Sequence, residues 1–128
     1  MMLICVIRII SKEGHMFKEI LHLCQNDIVS IVGSGGKTSL MFHLSLQYPA
    51  RKILITTTTK IMLPNRQLYE YIHIGLDNIE AFLSIPQCGR FVLGKELNKA
   101  NGKLIGFEPE TLSKFTKYFD LCLQCHIC

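Results

Sequence analysis

Residues 27–44 read DIVSIVGSGGKTSLMFHL, and the fold turns on what surrounds Gly33. Residues 27–33 are a short β-branched apolar run that ends in glycine, the pattern of a buried strand. From Lys37 onward Leu40, Met41, Leu44 and Tyr48 recur at helical spacing, and Pro49 stops the run. A strand, a glycine turn and a helix opening on Lys-Thr form the setting of a phosphate-binding loop. The spacing is unusual. In the common G-x-x-x-x-G-K-[ST] pattern the first glycine would fall at position 31, which is Ile31, so this loop is two residues shorter.

The chemistry expected of the loop follows from its residue types. The first turn of a helix carries backbone N–H groups with no intrahelical partner and the positive end of the helix dipole. Gly33, Gly35 and Gly36 can take positive φ and let backbone approach an anion closely. Lys37 is the expected catalytic charge on the terminal phosphates, and Thr38 the expected Mg²⁺ ligand. Gly33, Ser34, Gly35, Gly36, Lys37, Thr38 and Ser39 are thus the first candidate nucleotide-binding set. An ordinary glycine-rich turn that happens to contain Gly-Lys-Thr is the alternative.

The next strand, residues 52–59, reads KILITTTT and ends in a threonine run. In open α/β sheets ligands lie at the carboxyl ends of the strands. Thr57, Thr58 and Thr59 there could offer hydroxyls to phosphate, Mg²⁺ or an attacking water, and Lys60 adds charge. Threonine is also simply a good strand former. Further along, residues 70–75 read as a third strand and residues 77–83 as a short helix stopped near Pro86. Residues 90–97 read as another strand, and Asn101-Gly102 as a hairpin turn. A helix opens on Pro109 with Leu112, Phe115 and Phe119 on one face, and a final strand begins at Phe119. Strands alternating with helices predict an α/β domain, P-loop NTPase-like, with a mostly parallel sheet and flanking helices.

The 128 residues suffice for one domain with a real core, and 48% apolar content with a mean hydropathy of +0.27 excludes a disordered chain. The net charge of +4 is spread among acids, with no basic stripe, so no nucleic-acid partner is expected. The opening MMLICVIRII is interrupted by Arg8, lacks a cleavage site and is too short to span a bilayer. A cytoplasmic protein with reduced thiols and no membrane contact is the expectation. Residues 1–15 fit the domain poorly. Lys12-Glu13-Gly14 can be encoded by a purine-rich ribosome-binding sequence, so translation is expected to begin at Met16, leaving residues 16–128 as the domain.

Taken together, IVSIVGSGGKTSLMFHL, KILITTTTKIMLP, GKLIGFEPETL and FDLCL resemble the YqeC family over residues 17–123. Its members look like P-loop nucleotide-binding proteins and serve as accessory proteins for selenium-dependent molybdenum hydroxylases. The resemblance implies ATP or GTP with Mg²⁺ at Gly33 to Thr38, with Thr56 to Lys60 beside the phosphates, and a hydroxylase or its cofactor as partner. Two departures stand out. Glu108 replaces the serine that often precedes the proline of the last helix. And family members continue past the Phe-Asp strand into an acidic segment, whereas Phe119-Asp120 is followed here by LCLQCHIC. A Walker-B-like acid is missing after Asp120, so the sheet is expected to be incomplete on the C-terminal side, as in a product shortened by a frameshift or early stop. Nucleotide turnover is then left open between an accessory NTPase, a binding module without hydrolysis and a fragment that folds poorly.

Cys122, Cys125 and His126 match C-x-x-C-H, and Cys128 extends the cysteine spacing. Haem attachment requires export, for which no signal is visible, and a three-thiol metal cluster would sit on a loose terminus. Core cysteines followed by out-of-frame sequence are expected instead. His43 and His73 read as ordinary packed or surface histidines, and Cys5, Cys24 and Cys88 as apolar filler.

Overall fold

The computed structural model describes residues 2–7, 27–33 and 36–126. Its strands are β1 (Met2–Ile7), β2 (Asp27–Gly33), β3 (Lys52–Thr57), β4 (Lys60–Met62), β5 (Tyr71–Ile74), β6 (Gly89–Gly94), β7 (Glu96–Asn98), β8 (Lys103–Ile105) and β9 (Leu121–His126). The helices are α1 (Lys37–Ser45), α2 (Ile79–Leu83) and α3 (Pro109–Leu112), with 3₁₀ turns at Arg66–Leu68 and Thr116–Tyr118. Six strands form one sheet in the order β1-β2-β9-β3-β6-β5. β2, β9, β3, β6 and β5 run parallel, and β1 pairs antiparallel to β2 on the outside. The architecture is therefore α/β with a mostly parallel sheet, as the alternation of elements predicts.

The apolar strands alternate between the two faces with period two. Val29, Ile31, Ile53, Ile55, Val92, Leu121, Leu123 and Cys125 face one core with Met41, Phe42 and Leu44 of α1. Leu54, Phe91, Leu93 and Cys122 face the other with Ile79, Phe82 and Leu83 of α2 and Leu112 of α3. Ile53, Leu54 and Ile55 are consecutive and all buried because β3 is covered on both faces. On the second face the rings of Phe91 and Phe119 meet edge to face at 5.4 Å, and Phe82 meets Phe91 in the same way at 5.5 Å.

α1 ends at Ser45, three residues before the apolar pattern does. The Ser45 hydroxyl donates to the Phe42 carbonyl at 2.7 Å, and the Gln47 and Tyr48 N–H groups make tighter i−3 bonds to Leu44 and Ser45. That 3₁₀-like turn delivers the chain to Pro49, which has no N–H to continue the helix. The segment predicted as one strand over residues 90–97 is two strands. β6 belongs to the large sheet and β7 to a second, three-stranded antiparallel sheet ordered β4-β8-β7. The Asn101-Gly102 turn joins β7 to β8, as expected. The helix predicted from Pro109 closes at Leu112 and resumes as a 3₁₀ turn. The apolar opening, given no element from sequence, contains β1, paired with β2 over six consecutive residues. Phe17, Ile20, Leu21 and Cys24 recur at helical spacing from Met16 on, and the helix this pattern predicts lies outside the described residues.

The small sheet is pressed against the large one at Gly106. A Cβ built on Gly106 would land on the Thr57 carbonyl oxygen and 2.5 Å from the Thr57 carbonyl carbon. The Gly106 N–H donates to the Thr59 carbonyl at 2.8 Å, so the two backbones are locked at contact distance. Backbone, unlike a flexible side-chain end, cannot swing aside. Gly106→Ala should therefore destabilise the protein by roughly 3 kcal/mol through overpacking. Urea unfolding of the variant and parent checks this, and equal midpoints would refute the close approach.

Candidate functional site

The carboxyl edge of the parallel sheet collects the candidate residues. β2 ends at Gly33, and α1 begins at Lys37 on the same edge. Ser34 and Gly35 lie outside the described residues. Gly36 holds φ 74° and ψ 1°, the left-handed conformation, at the position that caps α1. Only glycine takes that conformation without a Cβ penalty. The helix start has two further properties. Gly36 has no side chain with which to cap the helix N–H groups, and no acidic residue occupies the first turn. Serine, threonine or aspartate usually satisfies these donors. Here the first turn carries Lys37 and Thr38 instead, so its charge and its backbone donors suit an anion.

The connection from β2 through α1 to β3 skips one strand position, and β9 fills it. β9 pairs with both neighbours, from Asp27↔Leu121 to Val32↔His126 on one side and from Ile53↔Leu121 to Thr57↔Cys125 on the other. Cys125 therefore stands between the glycine turn and the threonine run. The Lys37 charge reaches its thiol, but burial dominates and pushes Cys125 up to about 11. Cys125 Sγ also contacts Met41 Sδ at 3.6 Å.

The threonine run divides. Thr56 and Thr57 are both fully buried. Thr56 donates to the Leu93 carbonyl at 2.8 Å, tying β3 to β6. The Thr57 hydroxyl donates to the Cys125 carbonyl at 3.2 Å and accepts from the Thr59 N–H at 3.1 Å. The Thr58 N–H donates to the same carbonyl at 3.0 Å, and its hydroxyl lies 3.4 Å away. Thr57 and Thr58 thus fasten the end of β3 to β9. Thr59 is partly exposed, and Lys60 is exposed at the start of β4.

The carboxylates on these central strands sit at the opposite edge. Asp27 opens β2, and Asp120 precedes β9. Asp120 accepts from the Lys52 backbone N–H at 2.9 Å, and its own N–H donates to the Lys52 carbonyl at 2.8 Å. The Lys52 ammonium donates to the Leu83 carbonyl at 2.5 Å and lies 5.2 and 5.0 Å from the Phe91 and Phe119 ring centres. Burial holds this amine below the usual lysine value, with the Asp120 charge opposing. Asp120 is thus a structural residue of the amino edge.

A groove of about 410 Å³ begins at Thr38 and Ser39 and follows α1 past Phe42 and His43 to Leu46. Its far wall is built from Met62, Leu63, Pro64 and Leu68. Nothing in the apolar pattern marked this wall as part of a site. The available signal was the break of the strand pattern at Pro64, directly after the threonine strand.

The C-x-x-C-H match falls on a strand, where residues three apart point to opposite faces. Cys122 lies in the core under α2, and Cys125 in the core under α1. The two thiols cannot reach one metal or one haem edge. Among the described residues no cluster of three His, Cys, Asp or Glu side chains is placed to hold a metal ion. Among those residues no helix is long and apolar enough to cross a membrane.

The fold and this edge define an α/β protein with a mostly parallel sheet and a glycine strand-to-helix turn carrying Lys-Thr. The YqeC family model, described as "YqeC protein", matches residues 29–125, which span the turn, the threonine run and the central strands. The chain belongs to the YqeC family. A relative from Escherichia coli (strain K12), described as "Uncharacterized protein YqeC", is 54% identical over 39 residues. That match covers 29% of this chain and only 15% of the relative's length. No solved structure matches the chain.

The thiols supply a test. Burial raises Cys122 to about 12 and Cys125 to about 11, against 9.0 for a free thiol, while Cys88 is exposed. At neutral pH iodoacetamide should modify Cys88 in the folded protein and spare Cys122 and Cys125, as read by peptide mass mapping. Because the folded values lie above the unfolded ones, the thiols' contribution to stability is complete below pH 9.0 and declines as pH rises toward about 11 and 12. Rapid native labelling of Cys122 at neutral pH would contradict its burial.

Proposed function

We propose that this protein binds ATP or GTP with Mg²⁺ at the start of α1. The observation that carries this reading is the acid-free first turn of α1, entered through a left-handed glycine and carrying Lys37 and Thr38. The backbone N–H groups of that turn donate to phosphate oxygens, and the Lys37 ammonium neutralises the terminal phosphates. The Thr38 hydroxyl is the residue that would hold the Mg²⁺ entering with the nucleotide. When bound, that ion would offset the negative charge of the phosphates. The short loop, with Gly33 rather than residue 31 as its first glycine, gives the phosphates fewer amides than the common pattern.

Thr59 and Lys60 follow β3 at the same edge and stand as the second half of the phosphate site. Thr57 and Thr58 act mainly by holding β3 to β9, so their effect on nucleotide passes through the position of that edge. The carboxyl end of β9 carries Cys125 and His126 where a Walker-B-like acid would be needed, and Asp27 and Asp120 stand at the far edge. Binding without turnover is therefore the reading the residues favour for this chain. Family membership supports the wider role, in the maturation of selenium-dependent molybdenum hydroxylases, with a hydroxylase or its cofactor as partner.

Isothermal titration with ATP and GTP, with and without Mg²⁺, tests the site. Lys37→Ala should weaken binding by roughly tenfold to a hundredfold through loss of a charge-assisted contact. Thr38→Ala should remove most of the Mg²⁺ dependence and leave the fold intact, as followed by thermal melting. Phosphate release from the parent should stay at background. Unchanged nucleotide affinity in Lys37→Ala would remove the assignment.

A further inference from the structure

A nucleotide whose phosphates lie at the first turn of α1 must send its sugar and base away from that turn, and the groove that starts at Thr38 and Ser39 lies directly beside it. Resting on the phosphate reading above, we propose that this groove holds the nucleoside half of the nucleotide. Its volume of about 410 Å³ falls within the range of small-molecule sites. From Thr38 to Leu46 it follows eight helical steps, about 12 Å at the α-helical rise of about 1.5 Å per residue.

The lining has the composition a purine nucleoside needs. Phe42, Leu46, Met62, Leu63, Pro64 and Leu68 supply apolar surface for the faces of the ring system. Leu46 and Met62 are 55% and 57% exposed, large apolar side chains left facing water on the two walls of one groove. A flat heteroaromatic base would cover both, and the thioether of Met62 is a soft, adaptable contact for a ring. Ser39 and His43 stand one helical turn apart along the α1 wall and can hydrogen-bond the sugar hydroxyls or the base edge.

The far wall is pre-formed, which reduces the entropy lost on binding. Met62 is held by the pairing of β4 with β8, and the Leu63 N–H donates to the Gly102 carbonyl at 3.0 Å. The Asn65 side chain accepts from the Gln67 N–H at 3.0 Å, fixing the 3₁₀ turn that presents Leu68. Leu63 and Leu68 also pack on the core beneath α1. The small antiparallel sheet thereby acquires a role, because it positions one wall of the nucleoside site.

The test compares Mg²⁺-ATP with Mg²⁺-tripolyphosphate, which has the phosphates but no nucleoside. ATP should bind the parent at least about tenfold more tightly, the gain expected from covering this apolar surface. In protein labelled with ¹³C at the methionine methyls, ATP should shift the Met62 resonance and tripolyphosphate should not. Met62→Gln identifies that resonance by its loss. The double substitution Met62→Gln with Leu46→Gln is uncharged and at exposed positions. It should lose most of the ATP advantage while leaving tripolyphosphate affinity unchanged. Lys37→Ala should weaken both ligands alike. Equal affinity of the parent for ATP and tripolyphosphate, or saturating ATP with an unmoved Met62 methyl, would overturn the groove assignment and leave the phosphate site standing. If neither ligand binds, the phosphate site fails and the groove assignment with it.

Discussion

The arrangement depends on β9 entering between β2 and β3. Until it does, the glycine turn and the threonine run belong to two strands that share no hydrogen bond. The reciprocal bonds between Asp120 and Lys52 start the insertion at the amino edge, where each residue's backbone N–H is satisfied by the other. The pairing then runs in parallel register to Cys125, whose carbonyl is held by Thr57 and Thr58. A slip of one residue would turn Leu121, Leu123 and Cys125 to the wrong face, exchanging them with Cys122 and Gln124. The two cores on the two faces therefore fix the register, and the register fixes the distance from Gly36 to Thr59.

This explains why residues that look chemical are structural, and the reverse. Thr56 and Thr57 have hydroxyls at the ligand edge, yet both are buried and bonded to strand carbonyls. Burying a hydroxyl without a partner costs about 1–3 kcal/mol, so these bonds are the condition for threonine being there at all. Lys52 and Asp120 carry opposite charges, but their mutual bonds serve backbone registration, and the Lys52 ammonium covers two aromatic rings. Gly36 carries no functional group, and its left-handed backbone sets how the first turn of α1 faces outward.

Much of the sheet was legible because β2 and β3 carry β-branched apolar runs, with Gly33 closing one and Pro49 preceding the other. The site was legible where Gly36, Lys37 and Thr38 stand together on a strand-to-helix turn. What escaped did so for physical reasons. Residues 90–97 read as one strand because Phe91, Val92, Leu93 and Leu97 share it, and the step from β6 to β7 through Gly94-Lys95 changes sheets with no proline or turn dipeptide to mark it. β4 is three residues long and lies directly after the threonine run, too short for a period to show. β1 lies in an apolar opening whose pairing partner, β2, already read as complete. The C-x-x-C-H spacing misleads because a spacing becomes a site only on the right element. Over a strand it separates Cys122 from Cys125 across the sheet.

The place of β9 in the chain also has a consequence for synthesis. Residues emerge from the ribosome in order, so β2 and β3 are exposed long before the strand that joins them. During that interval both carry unpaired backbone edges rich in isoleucine and valine, the kind of surface that recruits other chains. The pairing is non-local, and loop closure across the whole domain must precede it. Slowing translation through residues 58–120 would lengthen this vulnerable period, so aggregation of the nascent chain should track elongation speed and chaperone supply more closely than the stability of the finished fold.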